Sequence, residues 1–410
     1  MKNLKGRAVF AQSGGPTAVI NASVAGGILA ALKNPSITGV LCANHGVKGV
    51  LREDFFDMSK EDEKELLALK NTPASAFGSV RYRLKDFTVD ESDYERIIEV
   101  FKKYDVRYFF YAGGNDSMDT CDKIARYAES VGYPVNVIGI PKTIDNDLVG
   151  TDHCPGYGSA AKYVATSVAE VALDAAIYDS PLVIIVEIMG RNAGWLTAAA
   201  SLASLSGAGA DLIYLPEVPF DNDKFVSDVK AIVDKKQKCV VAVSEGVRHA
   251  DGKYVGEDAS ATDIFGHSQL GGVCGVLKNL VKNAGYKCKA IELNILQRCA
   301  AHCASETDIE EAFNAGRTAL ENAVNGESGK MVTFIRNDES EYSLSFGLSP
   351  LTVTANAEKK IPLEWINESG TGLNERFFKY ALPLIQGEPD IRYENGLISF
   401  AKLKLEKFKI

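Results

Sequence analysis

The sequence predicts a doubly wound α/β fold on parallel sheet, and three observations lead there. Short β-rich runs alternate with longer helical runs along much of the chain, these runs are apolar almost throughout, and each ends in a turn rich in glycine or charge. A strand that is apolar on both faces must be covered on both, as in a parallel sheet flanked by helices. Chemistry in such folds collects beyond the carboxyl ends of the strands.

The elements follow in order. Arg7-Ala8-Val9-Phe10 enters Ser13-Gly14-Gly15-Pro16 and then an Ala-rich helical stretch, 18–33. Val106-Arg107-Tyr108-Phe109-Phe110-Tyr111 enters Gly113-Gly114-Asn115-Asp116-Ser117 and a helical pattern running to Ala128. Val135-Asn136-Val137-Ile138-Gly139-Ile140 enters the loop Pro141-Lys142-Thr143-Ile144-Asp145-Asn146-Asp147. Residues 182–186 lead to Met189-Gly190-Arg191 and a helical stretch over 193–203, and residues 239–243 lead to Ser244-Glu245-Gly246. No repeat of fixed period, low-complexity tract or Pro/Gly/Ser linker interrupts the pattern. The acidic run Glu61-Asp62-Glu63-Lys64-Glu65 reads as the start of a solvated helix.

With 410 residues the chain has room for two or three domains, and 46% hydrophobic with 24% charged residues is the balance of a soluble globular protein. A net charge of -9 argues against a nucleic-acid partner, which needs a basic face, but permits a small anion bound by a local cation cluster. The eight cysteines form no CxxC pair, so neither a zinc ribbon nor a thioredoxin-type centre is indicated. No apolar leader or membrane-length run is present, so reduced thiols in the cytoplasm are the expectation.

Glycines between a strand and a helix let backbone N–H groups approach a phosphate where the helix dipole favours an anion. Ser13-Gly14-Gly15-Pro16 fits that description, although a plain tight turn fits it equally; the turn at Gly113 to Ser117 is a second instance. Neither is a P-loop, since no GxxxxGK[ST] occurs. Gly156-Tyr157-Gly158-Ser159-Ala160-Ala161 matches the loose dinucleotide pattern, but a polar stretch rather than a strand precedes it, so a nicotinamide site is not expected.

The Pro141 loop is the most informative stretch. In an extended run Asp145 and Asp147 point the same way. Phosphoryl transfer to a hydroxyl needs a base for the proton and a carboxylate for Mg²⁺. Lys142 and the Thr143 hydroxyl can contact the moving phosphoryl; the bland alternative is a solvated Asp-Asn-Asp turn. Arg191 adds a cation and Glu245 an acceptor suited to sugar hydroxyls. In Cys299-x-x-His302-Cys303 the two cysteines lie four apart on one face of an expected helix, and packed thiols are favoured there over a metal.

Together these residues resemble the phosphofructokinase family. Ser13-Gly14-Gly15, Gly113-Gly114 with Asp116-Ser117, the Pro141 loop, Glu187 with Met189-Gly190-Arg191, and Gln297-Arg298 occur in the family's order. Ile361-Pro362-Leu363-Glu364-Trp365-Ile366-Asn367 looks like the carboxyl-terminal extension of its pyrophosphate-using branch. The resemblance implies two similar Rossmann-like α/β domains with the active site in the cleft between them. A donor domain of 1–156 plus about 297–345, a sugar-phosphate domain of 157–296, and an extension of about 346–410 packed on the second domain are expected. It also implies a cytoplasmic homodimer that moves a phosphoryl group reversibly from pyrophosphate to the 1-hydroxyl of fructose 6-phosphate.

In that picture Asp145 is the base. Thr143, Ile144, Met189, Gly190, Arg191, Glu245 and Arg298 hold the sugar phosphate, and Gly14, Gly15, Ser117 and Lys142 hold pyrophosphate. Asn115 and Asp147 hold Mg²⁺, and Lys142, Asp116 and Arg191 complete the catalytic set. Asp116 and Lys142 stand where the ATP-using branch has glycines. An Asp there fills the room of a nucleotide's α-phosphate and repels it, while a Lys can stabilise charge on a short donor. An ATP-using enzyme, a kinase of another metabolite and a silent sugar-phosphate sensor remain as alternatives. The chain also departs from the family pattern. Asn115 replaces an expected Asp, Ile295 an aromatic or His, and Leu182 and Lys289 the arginines that in bacterial ATP-using relatives reach the neighbouring subunit's site.

Overall fold

The computed structural model describes residues 4–262, 268–270, 272–337, 341–354 and 357–409. β-branched and aromatic residues dominate the strands, as pleated, two-sided packing requires. The chain begins with β1 (Gly6–Gln12), β2 (Ile37–Ala43), β3 (Phe55–Asp57), β4 (Val106–Gly113) and β5 (Asn136–Pro141). It continues with β6 (Leu182–Ile188), β7 (Leu212–Tyr214), β8 (Lys238–Ser244), a hairpin of β9 (Glu257–Thr262) and β10 (Ser268–Leu270), and β11 (Cys288–Glu292). β12 (Lys330–Arg336) and β13 (Leu344–Pro350) follow.

Two sheets carry the fold. The larger has seven strands in the order β13-β12-β5-β4-β1-β2-β3, and the second has the order β11-β6-β8-β7. The second is parallel throughout; the first is parallel except at its edges, where β3 and β13 run antiparallel. Alternation along β4 sends Tyr108 and Phe110 into the core on one face and Phe109 and Tyr111 into the core on the other. Val183 and Ile185 of β6 likewise oppose Ile184 and Val186. Both sheets are therefore covered on both faces, as the apolar strands required.

After β5 the chain leaves through the helix Tyr157–Ala176, lays down the second sheet, and returns through the helix Glu306–Val324 to place β12 beside β5. The returning helix lies against Ile20–Leu32. The backbones meet at Gly26 and Gly316, where any Cβ would overlap the facing main chain.

Several local expectations are corrected. Residues 193–203 form one turn of α-helix, Trp195–Ala198, continued as a 3₁₀ helix, Ala199–Ser206. Cys299 and Cys303 do not share a helix, because Ala300 (ψ 70°) breaks the run; both thiols are half-buried. The chain beyond 346 does not pack on the second sheet alone. Ile361, Phe377, Tyr380 and Leu384 join that sheet's core, but Ala401, Leu403 and Leu405 pack on the first, and the Phe408 N–H donates to the Phe55 carbonyl at 2.9 Å. The segment crosses both layers because its apolar residues come in two groups, each matched to a different sheet. Among the described residues no helix is long and apolar enough to cross a membrane.

Candidate active site

The carboxyl ends of β1, β4 and β5 face those of β6 and β8 across a cleft of about 400 Å³. Gly14, Gly15, Asn115, Asp116, Ser117, Lys142, Thr143, Ile144, Asp145, Asp147, Met189, Arg191, Glu245 and Arg298 all line it. Gly190 sits just behind, its N–H donating to a Glu245 carboxylate oxygen at 3.2 Å.

On the first sheet, Gly14 takes φ +77°, and a Cβ there would stand 3.2 Å from the Lys142 ammonium. A Cβ on Gly15 would stand 3.1 Å from an Arg298 guanidinium nitrogen. The glycines thus let cations from two other elements close on this turn. Lys142 is buried, and its Nζ donates to the Gly15 carbonyl at 2.7 Å. Burial pushes its pKa down to about 8, with Asp145 and Asp147 pulling part of the way back. Asp116 is exposed in the first turn of the helix Asn115–Ser130. Ser117 is buried beneath that turn.

The Pro141 loop is not extended at its functional end. Asn146 takes φ +55°, so simple alternation does not place Asp145 and Asp147. A left-handed residue between them does, and Asn tolerates that conformation because its side chain finds local partners. Asn146 donates Nδ2 to the Tyr380 hydroxyl at 2.8 Å and accepts from the Cys154 N–H at 2.9 Å. The Asp145 N–H donates to Thr143 Oγ1 at 3.0 Å. Burial raises the pKa of Asp145, opposed by Lys142. Burial, then the neighbouring Asp145, raises that of Asp147 to about 7.

Asn115 donates to Asp147 Oδ2 at 3.3 Å, while its own Oδ1 is buried and has no partner among the described residues. A buried oxygen without a donor, beside a carboxylate, fits a hard cation that takes oxygen ligands.

On the second sheet, Gly190 (φ +137°) accepts from the Ser244 hydroxyl at 2.6 Å, and the Met189 N–H donates to Gln297 Oε1 at 3.2 Å. Burial raises Glu245 to about 7; Asp145 and Glu187 push it the same way, while the Gly190 N–H and Arg191 pull it back. Four carboxylates thus stand among Lys142, Arg191 and Arg298 in one cleft. This arrangement can hold two anions and move a proton between them.

Sequence reading missed part of the lining. Arg81, Tyr82 and Arg83 border the cleft on a segment without regular structure, hung from the Val80 carbonyl by Gly14 N–H and Ser13 Oγ, each at 3.2 Å. The paired arginines were the only signal available. The Gly156 turn holds no nucleotide phosphate position: Asp308 accepts from the N–H groups of Gly156 and Ser159, each at 2.9 Å, and so caps that helix from within the chain. Ile295 is exposed outside the cleft. Leu182 is buried at the amino end of β6, and Lys289 lies 5.0 Å from the Tyr178 ring centroid.

Comparison with known proteins agrees with this picture. The family profile described as Phosphofructokinase matches residues 7–320. The pyrophosphate--fructose 6-phosphate 1-phosphotransferase of Halomonas elongata is 45% identical across 98% of this chain and 99% of its own. The protein of the same name from Xanthomonas campestris pv. campestris is 46% identical across 97% and 96%. The crystal structure of pyrophosphate-dependent phosphofructokinase from Nitrosospira multiformis superposes with a TM-score of 0.90 at 41% identity, covering 99% of this chain and 98% of that one.

Proposed function

The chain belongs to the phosphofructokinase family, and from that premise we propose that it transfers a phosphoryl group reversibly from pyrophosphate to the 1-hydroxyl of fructose 6-phosphate. The products are fructose 1,6-bisphosphate and phosphate. The observation that carries the donor assignment is the buried Lys142 ammonium on the Gly15 carbonyl, with Asp116 on the adjoining turn. Together they occupy the room that a nucleotide's α-phosphate would need, and leave a short, cation-lined floor suited to two phosphates.

Asp145 takes the proton of the attacking hydroxyl; its raised pKa suits a base that must hold that proton briefly. Thr143, Ile144, Met189, Gly190, Arg191, Glu245 and Arg298 hold the sugar phosphate, with Arg191 and Arg298 countering its charge. Gly14, Gly15 and Ser117 present backbone and hydroxyl groups to pyrophosphate, and Lys142 and Asp116 set its position. Asn115 and Asp147 would hold Mg²⁺, which when bound shields charge on the donor's phosphoryl oxygens. On this reading the first sheet serves the donor and, through Thr143, Ile144 and Asp145, shares the sugar with the second.

We place the enzyme in the cytoplasm and read its assembly as a homodimer. Leu173, Ile177 and Tyr178 expose an apolar patch at the end of the helix Tyr157–Ala176, as a subunit interface needs. Molecular mass measured in solution tests the assembly. The reaction is tested by assaying turnover of fructose 6-phosphate with pyrophosphate and with ATP. Faster turnover with ATP would overturn the donor assignment, and inactivity with both would favour a silent sugar-phosphate-binding protein.

A further inference from the structure

On that reading of the reaction, we propose that the carboxyl-terminal segment 357–361 is a strap fixing the two halves of the active site against each other. Lys359 is the positioning residue that holds the Asp145–Asp147 turn.

The strap grips the end of the catalytic loop and the chain just beyond it. The Lys359 N–H donates to the Asp147 carbonyl at 2.7 Å. Its ammonium donates to the carbonyl of Asp152 at 2.6 Å and to that of Thr151 at 3.3 Å. One residue therefore pins the main chain on either side of residues 148–150. Tyr380, farther along the same carboxyl-terminal stretch, bonds Asn146 inside the turn and the Asp152 carbonyl at 2.9 Å.

The other side of the strap grips the loop that follows Arg191. Asn192 donates to Glu358 at 2.7 Å, and the Trp195 indole N–H donates to the Lys359 carbonyl at 2.8 Å. Glu217 Oε1 accepts from both the Gly194 N–H, at 2.8 Å, and the Ile361 N–H, at 3.2 Å. The base on the first sheet and the sugar-phosphate cation on the second are thus tied through a handful of residues.

The chemistry of Lys359 points to positioning. Its hydrogen-bond acceptors are main-chain carbonyls, with the Trp195 ring 5.2 Å from the ammonium. A largely buried ammonium held this way is costly to place. What it secures is the course of a turn whose central residue has a positive φ. In-line transfer needs the base and the phosphoryl group held to within fractions of an ångström.

The test is Lys359→Met, which removes the ammonium and keeps the main-chain bonds, compared with Lys359→Arg and with the exposed control Lys379→Met. A misplaced base should lower kcat about 10- to 100-fold. KM for both substrates should change less than about threefold. Arg should restore part of kcat, and the control should match wild type. Hydrogen exchange over 143–152 should quicken in the Met variant while β4 and β5 stay protected. That second readout does not depend on which donor the enzyme uses, so an inactive wild type would refute the reaction and leave the strap open to judgement by exchange. Wild-type kcat and wild-type exchange in Lys359→Met would overturn the strap. So would a kcat per folded molecule that is unchanged while only the unfolding temperature drops. Should Lys359→Met fail to fold, Trp195→Phe removes the indole donation to the strap together with part of the ring beneath the Lys359 ammonium; unchanged kcat and exchange there would equally overturn it.

Discussion

Replacing Lys142 by methionine removes the ammonium from the floor of the donor turns and leaves an unbranched chain of similar length. Two effects of opposite sign follow. In the free enzyme, burial holds this ammonium at about 8 rather than the ordinary 10.5. That gap corresponds to about 3 kcal/mol by which the folded state disfavours the charge. The lost bond to the Gly15 carbonyl returns about 1 kcal/mol. The Met variant should therefore be more stable than wild type by about 2 kcal/mol below pH 8.

The sign fixes the pH window. The unfolded chain keeps its proton up to about 10.5 and the folded one only to about 8, so wild-type stability rises between those values and the variant's advantage disappears there. In catalysis the same charge acts the other way. A cation ~4 Å from developing negative charge, at an effective dielectric of ~20, contributes about 4 kcal/mol. A loss of about 100- to 1000-fold in kcat with pyrophosphate is expected. A coupled assay of fructose 6-phosphate phosphorylation reads the rate, and thermal unfolding at pH 7 and pH 10 reads the stability. A variant that keeps kcat within about threefold of wild type, or that is less stable at pH 7, would refute the reasoning.

Further outcomes are expected from the same site. Asp116→Gly combined with Lys142→Gly should abolish pyrophosphate use and admit weak turnover with ATP, measured by donor competition; unaltered pyrophosphate kinetics would remove the donor argument. Asp145→Asn should still bind fructose 6-phosphate in calorimetry while turnover falls about 10²- to 10⁴-fold. Tyr380→Phe leaves the buried Asn146 amide short of an acceptor and should cost about 1–3 kcal/mol in denaturant unfolding, with a lower kcat. Burial alone would raise Asp152, but His153 and Arg336 more than reverse it and hold the carboxyl at about 2, below the ordinary 3.8. Its contribution of about 2 kcal/mol is present above pH 4 and lost as pH falls through about 2. Asp152→Asn should accordingly unfold earlier than wild type at pH 7, and the gap should close on acidification.

The strands and their turns were legible because one physical pattern, unbroken apolar runs ending in glycine or charge, specifies both the element and the end where chemistry collects. β1, β4, β5, β6 and β8 stand where those runs predicted, and the turns that end them reach the cleft or its wall. Asn146 was not legible in that way. Its positive φ depends on Tyr380 and Cys154, which the local sequence does not place beside it. Arg81 and Arg83 were missed because a segment held by single main-chain bonds carries no periodicity. Lys359 was missed for a similar reason: a lysine in a polar stretch reads as solvated, and its contacts come from residues hundreds of positions away. Asp308 was hidden too, since only the folded chain shows that a carboxylate already caps the glycine-rich turn at Gly156.

The order of strands in the larger sheet has a consequence for how the molecule is made. β5 lies beside β12, with Ile138 opposite Lys330, so its partner leaves the ribosome roughly 190 residues later. At ordinary rates of synthesis that interval is roughly 10 to 40 s. Throughout it, β5 presents a flat apolar edge of unpaired N–H and C=O groups, and the buried Asn136 side chain still awaits the Ala323 carbonyl. The smaller sheet can assemble meanwhile, since all its strands lie between 182 and 292. The nascent chain therefore passes through a stage in which its later half is closed and its earlier half is open along one side. Fragments that stop between 293 and 330 should remain at that stage and associate through β5.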